Sequence, residues 1–125
     1  MREAITSNAA APPAGPYSPA MRCGDFIYVS GQIALDPVTG KLIEGDAAAQ
    51  AERVITNLET VLEGAGRRLA DAVRVGVFLT DIGDFATVNA VYARRFAPPY
   101  PARTTVAVAA LPLGGKVEID LVAAS

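Results

Sequence analysis

The strongest constraint on the fold of this chain is a helical pattern of apolar residues between Asp46 and Gly66. The apolar residues recur at steps of three and four, which places them on one face of a helix. They are Ala47, Ala51, Val54, Ile55, Leu58, Val61 and Leu62. Asp46 is a residue type that caps helix N-termini, and Gly64 and Gly66 are typical of a helix end. The pattern predicts one long amphipathic helix, which needs a second apolar layer to cover its buried face.

The residues before this helix have the composition of rigid turns and strands. Prolines interrupt residues 9–19, so this segment is predicted as an extended loop that holds Tyr17. Residues 26–43 are predicted as a strand, a kink at Gly31 and a hairpin whose turn is formed by residues 36–40.

The residues after the helix predict a strand and a second helix. Residues 73–79 alternate in the manner of a strand, and Asp84 is placed to cap a helix behind them. The apolar face of this second helix consists of Phe85, Val88, Tyr92 and Phe96. Asn89 lies within that face, so its amide needs a hydrogen-bond partner.

Two closing strands are predicted at 103–109 and 117–123. The resulting order, β-β-α-β-α-β-β, predicts an α+β fold in which both helices cover one face of a single sheet. The sheet is expected to be mostly antiparallel or mixed, and residues 1–125 form one domain without repeats or linkers.

The second face of the sheet has no helix to cover it. Alternation along the closing strands predicts that this face carries small and apolar residues around Thr105, Ala107, Ala109 and Val122. Such a surface is too apolar for water, so a homo-oligomer is expected.

Composition excludes several kinds of chemistry. The chain has no histidine and one cysteine, so a Ser-His-Asp triad, a Cys-His pair and an HExxH zinc helix are excluded, and a transition-metal site is not expected. The glycine-rich nucleotide motifs are also missing. Catalysis would therefore depend on Arg, Glu, Asp, Tyr, Ser, Thr, Asn or backbone groups.

Charge and hydropathy bear on partners and location. The net charge is −2 and no basic stripe is visible, which argues against nucleic acid as a dedicated partner. No uncharged stretch is long enough to span a bilayer, and no signal peptide is recognised, so a cytoplasmic location is expected and a membrane partner is not.

Five short segments, spread over nearly the whole chain, resemble the signature segments of the Rid (YjgF/RidA) family in order and spacing. They are Gly15-Pro-Tyr-Ser18, Tyr28-Val-Ser-Gly-Gln32, Asn89-Ala-Val-Tyr92, Pro101-Ala-Arg103, and Leu111-Pro with Val117-Glu-Ile119. The resemblance implies a fold like that of the trimeric chorismate mutases, with an active site at each subunit boundary. It also implies hydrolysis of 2-aminoacrylate and 2-iminobutyrate to 2-keto acids and ammonia, with no cofactor or metal.

The resemblance further implies roles for individual residues. Arg103 would bind the substrate carboxylate, since its planar guanidinium donates two parallel hydrogen bonds. Glu118 would activate the attacking water. Tyr17, Ser30 and Gly31 would line the substrate pocket.

Asn89 and Thr105 complete the implied substrate-binding set. Thr105 departs from the family pattern, because many members have cysteine there, and Pro19 departs from the family's Tyr-Ser-Gln at the end of the Tyr17 loop. From the residues alone, Arg103 is as consistent with a surface strand position as with a binding role, and Glu118 is more consistent with the exposed face of an edge strand.

Two other functions stay open at this level. Some relatives have been described as endoribonucleases or translation inhibitors, and a pocket of this kind would also suit a non-enzymatic trimer that binds small carboxylates.

Overall fold

The computed structural model describes residues 1–124, in which two helices pack on one face of a six-stranded sheet. The strands are β1 (Arg2–Ile5), β2 (Ala20–Cys23), β3 (Phe26–Gln32), β4 (Ala72–Leu79), β5 (Ala102–Ala107) and β6 (Val117–Ala124). The helices are α1 (Ala47–Gly64) and α2 (Phe85–Arg95). In the order β1-β2-β3-β6-β4-β5, only β4 and β5 are parallel neighbours, so the predicted mixed α+β sheet is confirmed.

Helix α1 forms as its sequence pattern predicts. The Asp46 carboxylate accepts a hydrogen bond from the Ala49 amide at 2.9 Å, which caps the first turn. The predicted apolar face is buried, and Val54, Ile55 and Leu58 have no exposed surface. Each such side chain contributes about 1.5–3 kcal/mol through its removal from water. The packed face holds α1 against the sheet and fixes the loops at both of its ends.

Helix α2 begins differently from the prediction. The Asp84 side chain makes no capping hydrogen bond. Instead, the carboxylate of Asp81 accepts the Gly83 amide at 2.8 Å, at the start of a short 3₁₀ turn that leads into the helix. The inward residues of α2 are Val88, Val91 and Tyr92.

Three strands precede α1, where two were expected. Strands β1 and β2 pair with each other at one edge of the sheet and were not predicted. The predicted second strand of the 26–43 hairpin is reduced to a single bridge between Leu35 and Leu42. The bridge is made by two backbone bonds, from Asp36 to Lys41 and from Ile43 to Ala34, while the carbonyls of Ile33 and Leu35 accept hydrogen bonds from Asn57 of α1.

The predicted facing of β5 is wrong. In the parallel register with β4, Arg103 lies opposite Val75 and Thr105 lies opposite Val77, both on the helix-covered side. Ala107 shares that side, and Ala109 lies beyond the end of the strand. The open face instead presents Phe78, Val106 and Val122 with Tyr28. The parallel register with the buried side of β4 sets this orientation, which the alternation of small residues in β5 does not specify.

Within residues 1–124, no helix combines the length and apolar character needed to cross a membrane.

Candidate functional site

An irregularity in β3 creates the position of Glu118. Val29 pairs with Leu121 and Gln32 pairs with Ile119, so β3 has one extra residue here, and Ser30 and Gly31 form a β-bulge. A Cβ atom on Gly31 would lie 2.6 Å from the Glu118 Oε2 atom. Any other residue at position 31 therefore displaces the carboxylate.

The Glu118 carboxyl is half-buried and close to a second acid. Burial raises its pKa above the ordinary value of 4.5, and Asp120, two residues along the same strand face, raises it further. A carboxylate with a raised pKa is a stronger base, which suits a group that must take a proton from water.

The proline-rich loop is attached to the bulge through Ser30. The Ser30 hydroxyl donates to the Ser18 carbonyl at 2.6 Å, and the Ser30 amide donates to the Pro19 carbonyl at 2.9 Å. These bonds hold Tyr17, whose side chain is 51% exposed, beside Gly31. Ser30 therefore fixes the position of the loop that carries Tyr17. Its hydroxyl proton is engaged in the bond to Ser18 and is not free to bind a substrate.

Tyr17, Gly31 and Glu118 line one opening of about 270 Å³, which we call the Glu118 cleft. Pro19 also borders it, so the departure from the family pattern at this residue lies at the cleft itself.

A second opening, of about 350 Å³, surrounds Arg103, and we call it the Arg103 cleft. The Arg103 Nη2 atom donates to the Asn89 Oδ1 atom at 2.6 Å. The guanidinium carbon lies 4.6 Å from the centre of the Tyr92 ring and 5.9 Å from that of Phe85. Within residues 1–124, no carboxylate lies within ion-pair distance of Arg103. The cation is therefore oriented by an amide and aromatic rings, while its charge is left unneutralised.

Tyr92 is a member of this cleft that the sequence interpretation assigned to the apolar core. Its ring stacks on Phe96 with centroids 4.2 Å apart, and its buried hydroxyl has no hydrogen-bond partner. Burial raises the pKa of the Tyr92 hydroxyl, against the opposing effect of the Arg103 charge. The spacing of three residues from Asn89 places both on one helix face, and this signal could have identified Tyr92.

The two clefts lie on opposite faces of the sheet. Arg103 shares a row with Val75 and Leu121 on the helix side, whereas Glu118 lies opposite Phe78 on the open side. The sheet therefore separates the two predicted catalytic side chains within one chain.

Comparison with known proteins gives the family. The family model described as Endoribonuclease L-PSP matches residues 7–125. The chain belongs to the Rid (YjgF/RidA) family. Its similarity to Protein DfrA of Myxococcus xanthus is 52% identity over 99% of this chain and 96% of the relative. It is also 46% identical to the 2-iminobutanoate/2-iminopropanoate deaminase of Bos taurus, over 95% of this chain and 88% of the relative.

The fold of this Rid protein matches that of solved family members. The crystal structure of RidA from an Antarctic Psychrobacter superposes with a TM-score of 0.95 at 44% identity, covering 98% of this chain and 99% of that one.

Thr105 lies in neither cleft of this Rid protein. It follows Arg103 by two residues on the helix side, and its buried hydroxyl has no hydrogen-bond partner. The side chain predicted to bind substrate therefore points into the buried layer on the helix side of the sheet.

Within the described residues, the structure contains no group of three or more His, Cys, Asp or Glu side chains that could hold a metal ion.

Proposed function

We propose that this Rid protein hydrolyses reactive 2-imino and 2-enamino acids, such as 2-aminoacrylate or 2-iminobutyrate, to 2-keto acids and ammonia. The reaction needs no cofactor and takes place in the cytoplasm. The observation that carries the proposal is the half-buried Arg103 guanidinium, which opens onto a cleft without a carboxylate partner in residues 1–124. The deaminase name of the bovine relative supports the same reaction.

Arg103 is suited to the carboxylate that all these substrates share. Asn89 accepts a hydrogen bond from one N–H of the guanidinium, and the Tyr92 ring covers one face of the guanidinium plane. The other N–H groups of the guanidinium are left to bind a ligand. A carboxylate bound to them forms charge-assisted hydrogen bonds in a fixed orientation. The substrate is thereby held by its one permanent charge.

Glu118 is suited to the proton transfers. Water adds to the C=N carbon while the Glu118 carboxylate takes one of its protons and passes it to the nitrogen, which gives a neutral carbinolamine. The carbinolamine hydroxyl then gives its proton to Glu118, this proton passes to the nitrogen, and the C–N bond breaks as the carbonyl forms and ammonia leaves. The sum is imino acid plus water to keto acid plus ammonia, and Glu118 ends as it began.

A second copy of the chain is needed to bring Arg103 and Glu118 to one substrate, because the sheet separates them within one copy. The apolar open face around Phe78, Val106 and Val122 supplies a surface for that contact. We propose a homotrimer with a site at each boundary. Light scattering is expected to give three times the 12.9 kDa chain mass.

Mixed trimers test the shared site. Arg103→Ala and Glu118→Gln chains are each expected to be inactive alone. When co-expressed in equal amounts, about one boundary in four combines an intact Arg103 with an intact Glu118 from the neighbour. Recovery of about a quarter of wild-type activity supports the proposal, and mixed trimers that stay inactive contradict it.

Ammonia release from freshly generated 2-aminoacrylate tests the reaction itself. Cleavage of single-stranded RNA without ammonia release would favour the endoribonuclease function. Tight carboxylate binding with neither activity would favour a binding trimer.

A further inference from the structure

Leu113 has a backbone conformation that leucine rarely adopts. Its φ of 58° and ψ of 18° lie in the left-handed region, within the short turn Pro112–Gly114. The Cβ of an L-residue is crowded there, so glycine or asparagine is the usual occupant. It is the one non-glycine residue with positive φ in the described part of the chain.

The Leu113 side chain gains little from burial within its own chain, since it is 67% exposed. It lies on the border of the Glu118 cleft. Backbone strain of this kind concentrates at sites where the surrounding structure uses it. We propose that Leu113 is a specificity-determining residue that forms one wall of an apolar subsite beside Glu118. The preferred substrates are 2-imino acids with a branched aliphatic side chain, such as the imine derived from leucine.

The size of the cleft agrees with such a substrate. The cavity measures about 270 Å³, and in the proposed shared site the substrate carboxylate lies outside it, on Arg103 of a second copy. The Glu118 cleft is therefore free to hold the substrate side chain.

One wall of the subsite is fixed by a buried amide on α1. The Asn57 Nδ2 atom donates to the Ile33 carbonyl at 3.2 Å and to the Leu35 carbonyl at 2.9 Å. Asn57 is buried, so these bonds are shielded from water. Ile33 and Leu35, which line the cleft, are thereby held in place.

The opposite wall is fixed by a second buried amide. The Gln50 Oε1 atom accepts the Lys116 amide at 2.8 Å, just after the turn that carries Leu113. A Cβ on Gly115 would lie 3.5 Å from Ile33 Cγ2, so the turn packs directly on the first wall. The subsite is therefore formed before a ligand arrives, which favours discrimination by side-chain shape.

The lining of the subsite favours apolar groups. Apart from Glu118, it has no charged side chain. Tyr17 and Gln32 are its polar members, and the rest of its walls are formed by alanine, glycine, proline, leucine and isoleucine. The inference rests on the proposed function, because it is the position of Glu118 at the reacting carbon that directs the substrate side chain into this cavity.

Binding of stable 2-oxo acids tests the subsite without requiring turnover. The probes are pyruvate, 2-oxobutanoate and 4-methyl-2-oxopentanoate, titrated by calorimetry into the wild-type protein. One fully buried methylene changes affinity about fourfold. We expect 4-methyl-2-oxopentanoate to bind at least about tenfold more tightly than pyruvate.

Three variants make the test specific. Leu113→Gly and Leu113→Asn keep the left-handed turn but remove the apolar wall, and both are expected to fold with an unchanged or higher melting temperature. They should lower the affinity for 4-methyl-2-oxopentanoate about fivefold or more and leave pyruvate within twofold. Val38→Gly is the matched control, since Val38 is 91% exposed in a different loop, and it should preserve the wild-type preference.

An affinity that does not rise along the series would overturn the proposal. Equal losses for pyruvate and 4-methyl-2-oxopentanoate in Leu113→Gly would do the same. If the preference holds but no imine is deaminated, the proposed reaction fails while the subsite stands.

Discussion

Arg95, the last residue of α2, and Arg103, in β5, are both half-buried arginines, but they have different partners. Arg95 donates to the Glu52 carboxylate at 2.9 Å and to the Thr56 hydroxyl at 3.1 Å, and it also contacts the Glu59 carboxylate. Burial lowers the pKa of Arg95, but its bonds to Glu52 and Glu59 raise it by more. Arg103 donates only to an amide oxygen and lies over aromatic rings.

The difference separates an arginine whose charge is paired within the fold from one that we propose binds the substrate. Arg95 ties α2 to α1 and has its charge neutralised inside the chain. Arg103 has its orientation fixed by Asn89, a neutral partner, so an incoming anion meets no competing carboxylate. We therefore expect substitutions at Arg103 to change activity and substitutions at Arg95 to change stability.

The largest effect is expected for Arg103→Ala. Loss of the partner of a buried charge typically costs about 2–5 kcal/mol, which is about one and a half to three and a half decades in kcat/KM. Arg103→Lys should recover part of the loss, since it keeps the charge without the planar fork. The measurement is deamination of freshly generated 2-iminobutyrate. An Arg103→Ala rate within twofold of wild type, at the same oligomeric mass as wild type, would contradict the carboxylate-binding role.

Glu118→Gln is expected to slow turnover by about a hundredfold or more while 2-oxo acid binding is retained. Burial raises the folded pKa of Glu118, so ionisation at neutral pH destabilises the native state. Glutamine has no proton to lose, so the variant should be at least as stable as wild type at pH 7, and the difference should vanish below pH 4.5. Urea unfolding at both pH values measures this. Unchanged turnover would show that Glu118 does not activate the attacking water.

Asp120→Asn should change the pH profile more than the maximum rate. The Asp120 charge contributes to the raised pKa of Glu118. Its removal is expected to move the acid limb of kcat/KM to lower pH, while the limb stays above pH 4.5 because burial continues to raise the pKa. An acid limb at the wild-type position in Asp120→Asn would show that Glu118 does not control it.

The smallest effect on activity is expected for Arg95→Met. The two glutamates that it contacts are substantially exposed, so the bonds contribute about 1–2 kcal/mol to the free energy of unfolding. Urea unfolding measures this loss, and kcat/KM should stay within twofold. A large fall in kcat/KM with unchanged stability in Arg95→Met would contradict the expectation that Arg95 acts on stability and Arg103 on activity.

The local features of the fold are predictable from the sequence. The α1 helix forms between Asp46 and Gly66 because its cap, apolar face and final glycines all favour the same structure. Strands β1 and β2 escape prediction because they are four residues long and owe their form to pairing with each other and with β3.

The site residues are predictable as residue types, but not as neighbours. The facing of Thr105 depends on β5 pairing in parallel with β4, which alternation alone does not specify. The contact of Arg103 with Tyr92 spans two elements, and the separation of Arg103 from Glu118 depends on the strand order. These long-range relations arise from tertiary packing.

The position of β6 has a consequence for biosynthesis. This strand is the last in chain order, yet it lies between β3 and β4 at the centre of the sheet. Until it is made, β3 and β4 each expose an unpaired edge, and the two halves of the sheet have no ladder between them. Such non-local pairing makes folding slow and leaves a nascent chain prone to aggregation on the ribosome. Because β6 also carries Glu118, the sheet is completed and the proposed base is added in the same step. A chain that stops before β6 lacks both the central strand and Glu118.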